Sequence, residues 1–256
     1  MKADSRRNRK VPASADGMRL NRYLARAGIA SRRNCDHGVQ SGMVTVNGSL
    51  VTDPSNKLSA GDIVLWDGTA VTLPEMFIAI MNKPSGYETT MEEKKSSRPV
   101  TLLSGGMPRG CTPVGRLDVR TGGLLLWTNH GELVYRLTHP KWRIEREYRI
   151  ITPVPVTPDM LKRLTKGGYI QPGVYSKPAV VARAGQKAIS VVLKTGRNRE
   201  VRKLSKACGV PMAGLERTRY GNIRLEESLE RGSWRELTPE ETRGLLKLVR
   251  LDISGS

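Results

Sequence analysis

One short stretch, GRLDVRTGG at residues 115–123, contains the residues best suited to chemistry. It places a single carboxylate, Asp118, between Arg116 and Arg120 in a chain that is otherwise strongly basic. Two interpretations are open: Asp118 forms a structural ion pair with a neighbouring arginine, or it is held for reaction on a ligand that the arginines attract. The neighbouring residues alone do not decide between them.

The histidines and cysteines argue against a metal centre. The three histidines have no second ligand at helical spacing, and the three cysteines lie far apart without a C-x-x-C pair. Such spacing is typical neither of a zinc site nor of a disulfide framework. We therefore expect chemistry without a metal or another cofactor.

The charge of the chain indicates a polyanionic partner. Its 256 residues include 43 Lys and Arg against 24 Asp and Glu, which gives a formal charge of +19 and a sequence pI near 10.3. A field of that sign attracts nucleic acid or an anionic membrane. No run approaches the roughly 18 apolar residues of a spanning helix, and the first 17 residues lack the apolar segment of a secretory signal. We expect a cytoplasmic protein that does not associate with a membrane.

The N-terminal part predicts a polar arm followed by a small helical module. Residues 1–17 are basic and nearly devoid of large apolar groups, so we expect a flexible arm, either a phosphate-seeking tail or a solubilising terminus. The motif MRLNRYLARAG has apolar residues at helical spacing and ends at Gly28, and Ser31 is suited to cap a second helix. Further on, MVTVNGSLV predicts a hairpin that turns at Asn47-Gly48.

Basic residues collect at the start of the second helix. Arg32 and Arg33 fall in its first turn, where cations oppose the helix dipole. This placement is explained if the helix end and both guanidinium groups face a phosphate, although surface arginines commonly point into solvent. Together with Arg19 on the first helix, they are candidates for phosphate binding.

The motifs RLNRYLARAGIASRR and SGMVTVNG resemble the S4 RNA-binding module of ribosomal protein S4 and of several RNA-modifying enzymes. The resemblance runs from Arg19 to about Asp67 and implies an αα-β RNA-binding domain over residues 18–68. One departure is Gly38, in the middle of the second helix, where glycine costs about 1 kcal/mol relative to alanine. We expect that helix to be short or bent.

Residues 69–75 are expected to be a linker, and residues 76–251 a larger domain. Strand candidates such as FIAIM, GGLLLW and REYRII alternate irregularly with helix candidates such as GELVYRLTH and VTPDMLKRLTK. Thr157 is suited to cap the second of these helices, and Thr238 with Glu241 predicts a capping box for a last helix. This order favours an α+β domain with a mixed, mainly antiparallel sheet.

Four separated motifs of this domain resemble those of the pseudouridine synthases: NKPSGYETT, PVGRLDVRTGGLLLWTN, IEREYRI and KTGRNREVRKLSKACG. Together with the S4-like module they resemble the RsuA/RluB branch, which acts on ribosomal RNA. The resemblance implies that Asp118 is the catalytic aspartate. It also implies that Tyr148 packs against the target base and that Arg202 pairs with Asp118.

The same resemblance extends to other positions of the candidate site. It implies that Arg116 helps to hold a flipped nucleotide and that Lys83 with Pro84 is structural. Arg146 departs from the pattern, because many relatives have lysine before the tyrosine, and arginine preserves the charge but not the geometry. We include Arg199 among the substrate-binding candidates, although the cations of REVRKLSKA would ordinarily form a solvated helix face.

The isomerisation of uridine can be reconciled with a single carboxylate. The reaction breaks the N-glycosidic bond, turns the uracil over and joins its C5 to the same sugar carbon, so no atoms enter or leave. The carboxylate either adds to C1′ or removes the C2′ proton, and the sequence leaves both routes open. Because the uridine must leave its stack, an aromatic face such as Tyr148 would recover part of the cost.

Alternatives to this interpretation remain open at the level of sequence. The substrate is expected to be 23S ribosomal RNA or a pre-ribosomal particle, with 16S ribosomal RNA as the alternative. A non-catalytic RNA-binding protein of ribosome assembly is the alternative from another class. A DNA-binding regulator would need a DNA-reading motif, which we do not recognise in the sequence. We expect a monomer.

Overall fold

The computed structural model describes residues 10–91 and 98–252, which form an α+β protein. The helices are α1 (Leu20–Arg26), α2 (Arg32–Gln40), α3 (Gly131–Thr138), α4 (Pro158–Lys166), α5 (Glu200–Ala207) and α6 (Pro239–Leu248). The strands are β1 (Val44–Val46), β2 (Ser49–Leu50), β3 (Val64–Trp66), β4 (Thr69–Ala70), β5 (Ile78–Lys83), β6 (Thr112–Pro113), β7 (Gly122–Thr128), β8 (Arg146–Ile151), β9 (Gly168–Gln171), β10 (Val174–Ser176), β11 (Val180–Arg183), β12 (Ala188–Leu193), β13 (Gly214–Tyr220), β14 (Ile223–Arg224) and β15 (Trp234–Glu236). None of the helices in these described ranges is long and apolar enough to cross a membrane.

The N-terminal module packs α1 and α2 against an antiparallel sheet of order β2-β1-β3-β4. Apolar residues of both helices and of the sheet, including Tyr23, Val39 and Val64, are fully buried in one cluster. Local signals act as predicted: the Ser31 side chain accepts a hydrogen bond from the Asn34 amide, and Asn47-Gly48 turns the β1-β2 hairpin with positive φ at both residues.

Helix α2 runs through Gly38 without interruption and has nine residues, somewhat fewer than the average of about 11–12. A Cβ atom built on Gly38 would lie 2.1 Å from Cη2 of Trp66, so the missing side chain makes room for the indole of β3. Close packing of the sheet against the helix therefore compensates for the poor helix propensity of glycine.

The module also extends beyond its expected boundaries on both sides. Val11 and Ala15 are buried in its core, whereas residues 10–17 were expected to belong to a flexible arm. Thr69–Ala70 pairs with β3, and Val71 is buried in the same cluster, so the first residues of the expected linker belong to this sheet. Burial of the two valines offsets the entropy of ordering these segments. Residues 1–9 of the expected arm lie outside the described residues.

The larger domain is built on a nine-stranded sheet with the path β11-β12-β8-β13-β7-β5-β15, to which β14 and β6 add at β13 and β7. The sheet is antiparallel except where β13 runs parallel to β7, in agreement with the predicted mixed, mainly antiparallel sheet. Helices α3 and α6 cover β5 and β7, and α4 and α5 cover the half formed by β8 and β12. The capping box of Thr238 and Glu241 is present at the start of α6.

The parallel contact between β7 and β13 requires glycine. Gly123 has φ +96°, and a Cβ atom there would lie 2.3 Å from the carbonyl oxygen of Arg217. Only glycine allows the two backbones to approach so closely in this conformation. The approach fixes the start of β7, and the loop that carries Asp118 ends at this point.

Candidate active site

Asp118 lies in the loop between β6 and β7, and this loop is held by hydrogen bonds on both sides of the carboxylate. The Thr121 amide donates to the carbonyl oxygen of Asp118 at 2.9 Å. The Thr89 hydroxyl donates to the Leu117 carbonyl at 2.9 Å and accepts from its amide at 3.2 Å. The backbone around Asp118 is thus held by hydrogen bonds from Thr121 and Thr89, and the Asp118 side chain takes no part in them.

A buried lysine lies beneath the same loop. Lys83, at the end of β5, is fully buried, and its Nζ donates to the carbonyl oxygens of Thr121 at 2.8 Å, Pro84 at 3.0 Å and Asp118 at 3.4 Å. Burial lowers the pKa of Lys83 to about 8, against the opposing effect of the negative Asp118. Lys83 therefore joins the end of β5 to the loop of Asp118, in agreement with the structural role that the resemblance implies.

Two adjoining cavities, of about 440 Å³ and 400 Å³, meet at the carboxylate. Asp118, Arg199 and Arg202 line both of them, and Arg116 and Tyr148 line the second. Cavities of a few hundred cubic ångströms are typical of sites for small molecules or single nucleotides. The structure thus brings together five of the candidate residues that the sequence suggested.

Asp118 does not form the structural ion pair that its arginine neighbours suggested. Among the described residues, no ion pair or hydrogen bond to its carboxylate is found. Arg116 and Arg120 are exposed on either side of it. The carboxylate is partly exposed toward the cavities, where a ligand can reach it.

The expected contact between Arg202 and Asp118 is also absent. The Arg202 guanidinium donates instead to the Arg120 carbonyl at 2.6 Å and to the Thr121 hydroxyl at 3.1 Å. These two hydrogen bonds anchor the loop that contains Asp118. Burial lowers the pKa of Arg202, and the charge of Asp118 opposes this shift. The two groups therefore interact through space without a direct hydrogen bond.

Tyr148 lies on β8, at the junction of two apolar clusters. Its ring is half-buried and packs against both the cluster below α4 and α5 and the cluster around Trp127. Its backbone is paired with that of Arg217 on β13. This packing holds the ring in the cavity wall on a rigid strand.

Among the residues of the second cavity that sequence reasoning missed are Arg217 and Tyr220. The guanidinium carbons of Arg146 and Arg217 lie 4.9 Å and 4.8 Å from the centroid of the Tyr220 ring. Arg146 also donates to the Tyr220 hydroxyl at 3.0 Å, and that hydroxyl donates to the Leu137 carbonyl at 2.7 Å. Arginines in a strand are ordinarily interpreted as exposed, and no local signal in ERTRYG indicates that Arg217 is buried.

A second missed residue set holds the loop before α5. Glu200 is buried, and its carboxylate accepts from the hydroxyls of Ser176 at 2.8 Å and Thr195 at 2.7 Å and from the Arg197 amide at 3.1 Å. Arg199, the residue before it, has a left-handed backbone with φ +53°. Non-glycine residues in this conformation are uncommon and concentrate at functional sites. Glu200 thereby fixes the turn from which Arg199 reaches both cavities.

The candidate residues of the N-terminal module do not join the cavities. Arg19, Arg32 and Arg33 are exposed on α2 and at the start of α1 and line neither cavity. Arg22 contacts the larger domain, with its Nη2 3.6 Å from Glu132. The module thus presents a basic surface separate from the two cavities.

The comparisons with known proteins agree with this arrangement. The family described as RNA pseudouridylate synthase matches residues 78–207, and the S4 domain matches residues 18–64. The chain is 36% identical over 91% of its length to an uncharacterized RNA pseudouridine synthase of Aquifex aeolicus, covering 98% of that protein. It is 34% identical over 90% of its length to the ribosomal large subunit pseudouridine synthase B of Bacillus subtilis, covering 96% of it.

A solved structure supports the same relationship. A crystal structure of a pseudouridylate synthase superposes with a TM-score of 0.63 at 26% identity, covering 89% of this chain and 99% of the other. The family match spans the loop of Asp118, strand β8 with Tyr148 and helix α5 with Arg202. The chain therefore belongs to the RNA pseudouridylate synthase family and has an N-terminal S4 domain.

Proposed function

We propose that this enzyme converts a specific uridine of large-subunit (23S) ribosomal RNA to pseudouridine. Relatives from Bacillus subtilis and Yersinia pestis, 34% and 36% identical over at least 90% of this chain, are ribosomal large subunit pseudouridine synthases B. A charge of +19 and an S4 domain suit a partner made of structured RNA. The reaction then takes place in the cytoplasm, where ribosomal RNA is found.

The observation that carries the catalytic assignment is the carboxylate of Asp118. It has no partner among the described residues, and it stands where two cavities meet beside Arg199 and Arg202. A carboxylate that faces a cavity without a protein partner is available to attack C1′ or to remove the C2′ proton. Either route returns the same base to the same sugar, so the reaction needs no other reactant.

The remaining residues are assigned roles from their positions. Tyr148 offers an aromatic face to the extruded uracil, and stacking of about 1–3 kcal/mol per base offsets part of the few kcal/mol needed to extrude it. Arg116 and Arg199 reach the cavity with charges suited to the flanking phosphates. Arg202 places a positive charge near Asp118 and holds its loop by a hydrogen bond to the Arg120 carbonyl.

The catalytic assignment is tested by Asp118→Asn. The amide preserves the size of the side chain but is neither nucleophile nor base, so turnover should fall by at least about four orders of magnitude while RNA affinity changes little. Release of label from ribosomal RNA tritiated at uracil C5 measures turnover. Asp159→Asn, on the exposed surface of α4, is the matched control and should retain full activity. Normal turnover by the Asp118 variant would contradict the assignment.

The choice of substrate is tested by mapping pseudouridines in ribosomal RNA from cells with and without the protein. We expect one site to be lost from 23S RNA, and loss from 16S RNA would overturn the subunit assignment. Assays on free RNA and on isolated pre-ribosomal particles then identify the form on which the enzyme acts. RNA binding without any conversion would favour the non-catalytic assembly protein. The expected monomer is checked by sedimentation.

A further inference from the structure

A small hairpin beside the candidate active site carries two exposed tyrosines. Strands β9 and β10 form a two-stranded sheet of their own, in which Tyr169 and Tyr175 are direct cross-strand partners. Ile170 and Ser176 face inward, whereas the tyrosines are 68% and 42% exposed. Two exposed rings side by side form a small aromatic patch, and exposed patches, unlike single exposed residues, are typical of binding surfaces.

The two rings are arranged so that their faces remain accessible. Their centroids lie 5.0 Å apart, and their planes are nearly perpendicular at 77°. An edge-to-face pair covers at most one of its four ring faces. The Tyr175 hydroxyl donates to the Lys166 carbonyl at 2.8 Å, which fixes that ring as a support for Tyr169.

Cations surround the hairpin. Lys203 donates from Nζ to the Gln171 side chain at 3.1 Å, and Arg197 donates from Nη1 to the Tyr175 carbonyl at 2.8 Å. Lys166 and Lys177 flank the two strands and are exposed. Aromatic faces among cations are the combination with which proteins bind unpaired nucleic acid, because every base has a face that can stack and every nucleotide has a phosphate.

The hairpin is connected to the walls of the candidate active site. Arg197, which donates a hydrogen bond to the Tyr175 carbonyl, lines the second cavity together with Asp118. Ser176, the last residue of β10, donates to Glu200, which fixes the loop of Arg199. A nucleotide on the hairpin would therefore lie next to the site that receives the target uridine.

We infer that the β9-β10 hairpin is a stacking platform for an unpaired nucleotide of the RNA that flanks the target uridine. Tyr169 supplies the stacking face, and Tyr175 supports the Tyr169 ring through their edge-to-face contact. The surrounding lysines and Arg197 neutralise the adjoining phosphates. The inference rests on the proposed function only for the identity of the RNA. It extends that function by assigning a binding subsite outside the reaction centre.

The test compares full-length Tyr169→Leu and Tyr169→Phe with the wild-type enzyme. Leucine keeps an apolar side chain without an aromatic face, and phenylalanine keeps the face without the hydroxyl. The probe is an unpaired RNA of about 12 nucleotides that contains 2-aminopurine, a length within the usual range for single-strand sites. We expect the leucine variant to bind about tenfold more weakly and to lose quenching of 2-aminopurine, and the phenylalanine variant to bind and quench as wild type does.

Further measurements separate stacking from stability and from catalysis. Thermal unfolding of the two variants should agree with that of the wild type, and Val180→Ala, a change of another exposed apolar residue, should leave RNA affinity unchanged. On ribosomal RNA, Tyr169→Leu should raise KM with little change in kcat. Equal affinity and quenching for the leucine variant would overturn the inference and leave the tyrosines as a pair that stabilises the hairpin. If the leucine variant loses RNA binding while the wild-type enzyme converts no uridine, the stacking platform is supported and the proposed function is refuted.

Discussion

At the scale of single residues, Arg202 connects electrostatics with geometry at the candidate site. Its guanidinium donates to the Arg120 carbonyl and to the Thr121 hydroxyl, and its charge acts on Asp118 without a hydrogen bond. Replacing Arg202 by an uncharged residue therefore removes both the hydrogen bonds to the loop and the attraction between the two charged groups.

We expect Arg202→Met to lower kcat by about 100-fold or more and to move the acid limb of the pH–rate profile to higher pH. The limb is expected to move to higher pH because the positive charge of Arg202 favours the ionised carboxylate of Asp118. Without that charge, the carboxylate is protonated at a higher pH. Lys206→Met, an exposed change on the same helix, serves as the control and should leave the profile in place. An acid limb unmoved in the Arg202 variant would show that the two charges are not coupled.

His130 is a second residue whose surroundings set its charge. Its Nδ1 accepts from the Leu133 amide and caps α3, while burial and the nearby Arg26 and Arg22 lower its pKa to about 4. The unfolded chain takes up this proton near the ordinary value of 6.5, whereas the folded chain resists it until about pH 4. Between these values the free energy of unfolding must fall as the pH falls.

We expect His130→Asn to flatten this part of the stability profile, because asparagine caps a helix without titrating. For the wild type the histidine contributes at most about 2 kcal/mol of destabilisation at pH 5 relative to pH 7.5. Urea denaturation of both proteins at the two pH values measures the difference. Equal losses of stability in the two proteins would contradict the assignment of the lowered pKa to His130.

At the scale of elements, close approach of backbones decides where glycines are needed. Gly38 admits the indole of Trp66 between α2 and β3, and Gly123 lets β7 approach β13 beside the Asp118 loop. In both places the requirement comes from an element distant in sequence, so the glycine weakens its own helix or strand while it allows two elements to pack.

We expect Gly38→Ala to destabilise the N-terminal module by about 1–3 kcal/mol, because overpacking against Trp66 outweighs the roughly 1 kcal/mol gained in helix propensity. Urea denaturation monitored by far-ultraviolet circular dichroism is the measurement. The double variant Gly38→Ala with Trp66→Leu should lose less than the sum of the two single variants, because leucine makes room for the new methyl group. Strict additivity, or a stabilised single variant, would refute the packing explanation.

At the scale of the whole molecule, the two parts are joined by a close contact as well as by the chain. A Cβ atom on Gly110 would lie 2.7 Å from the Arg26 carbonyl oxygen, and one on Gly28 would lie 2.5 Å from Cβ of Arg109. The ion pair between Arg22 and Glu132 adds to this contact. The module is therefore held against the larger domain, and Arg19, Arg32 and Arg33 remain exposed to solvent.

We expect Arg32→Glu combined with Arg33→Glu to weaken binding to structured ribosomal RNA and to reduce the slope of log affinity against log salt by about 2, because two phosphates are no longer neutralised by the protein. The helix should remain folded, because acidic residues in its first turn favour the dipole. The kcat at saturating RNA should remain near that of the wild type, since neither arginine lines the cavities.

The control for this prediction is Arg243→Glu combined with Lys247→Glu on α6. It changes the net charge by the same amount at two other exposed positions. Equal salt slopes for the two double variants would mean that only the net charge matters and that the first turn of α2 does not touch the RNA.

The sequence by itself determined the features that depend on neighbouring residues. The caps at Ser31 and Thr238 and the turn at Asn47-Gly48 each depend on residues within a few positions, and the structure agrees with them. The family motifs are likewise visible in the sequence itself, and the comparisons agree with the family that they indicate. Local hydrogen bonding and helical or strand periodicity are encoded at that range.

Only the tertiary structure decided which charged groups are buried and what they contact. Lys83 reaches carbonyl oxygens 35 and 38 positions away, and Arg217 donates to the Leu124 carbonyl across 93 positions. Arg202 contacts the loop rather than the carboxylate of Asp118. Val11 and Val71, which were expected in the arm and in the linker, are buried in the core of the N-terminal module. These outcomes depend on burial and on backbone acceptors brought together by folding, and no spacing along the chain expresses them.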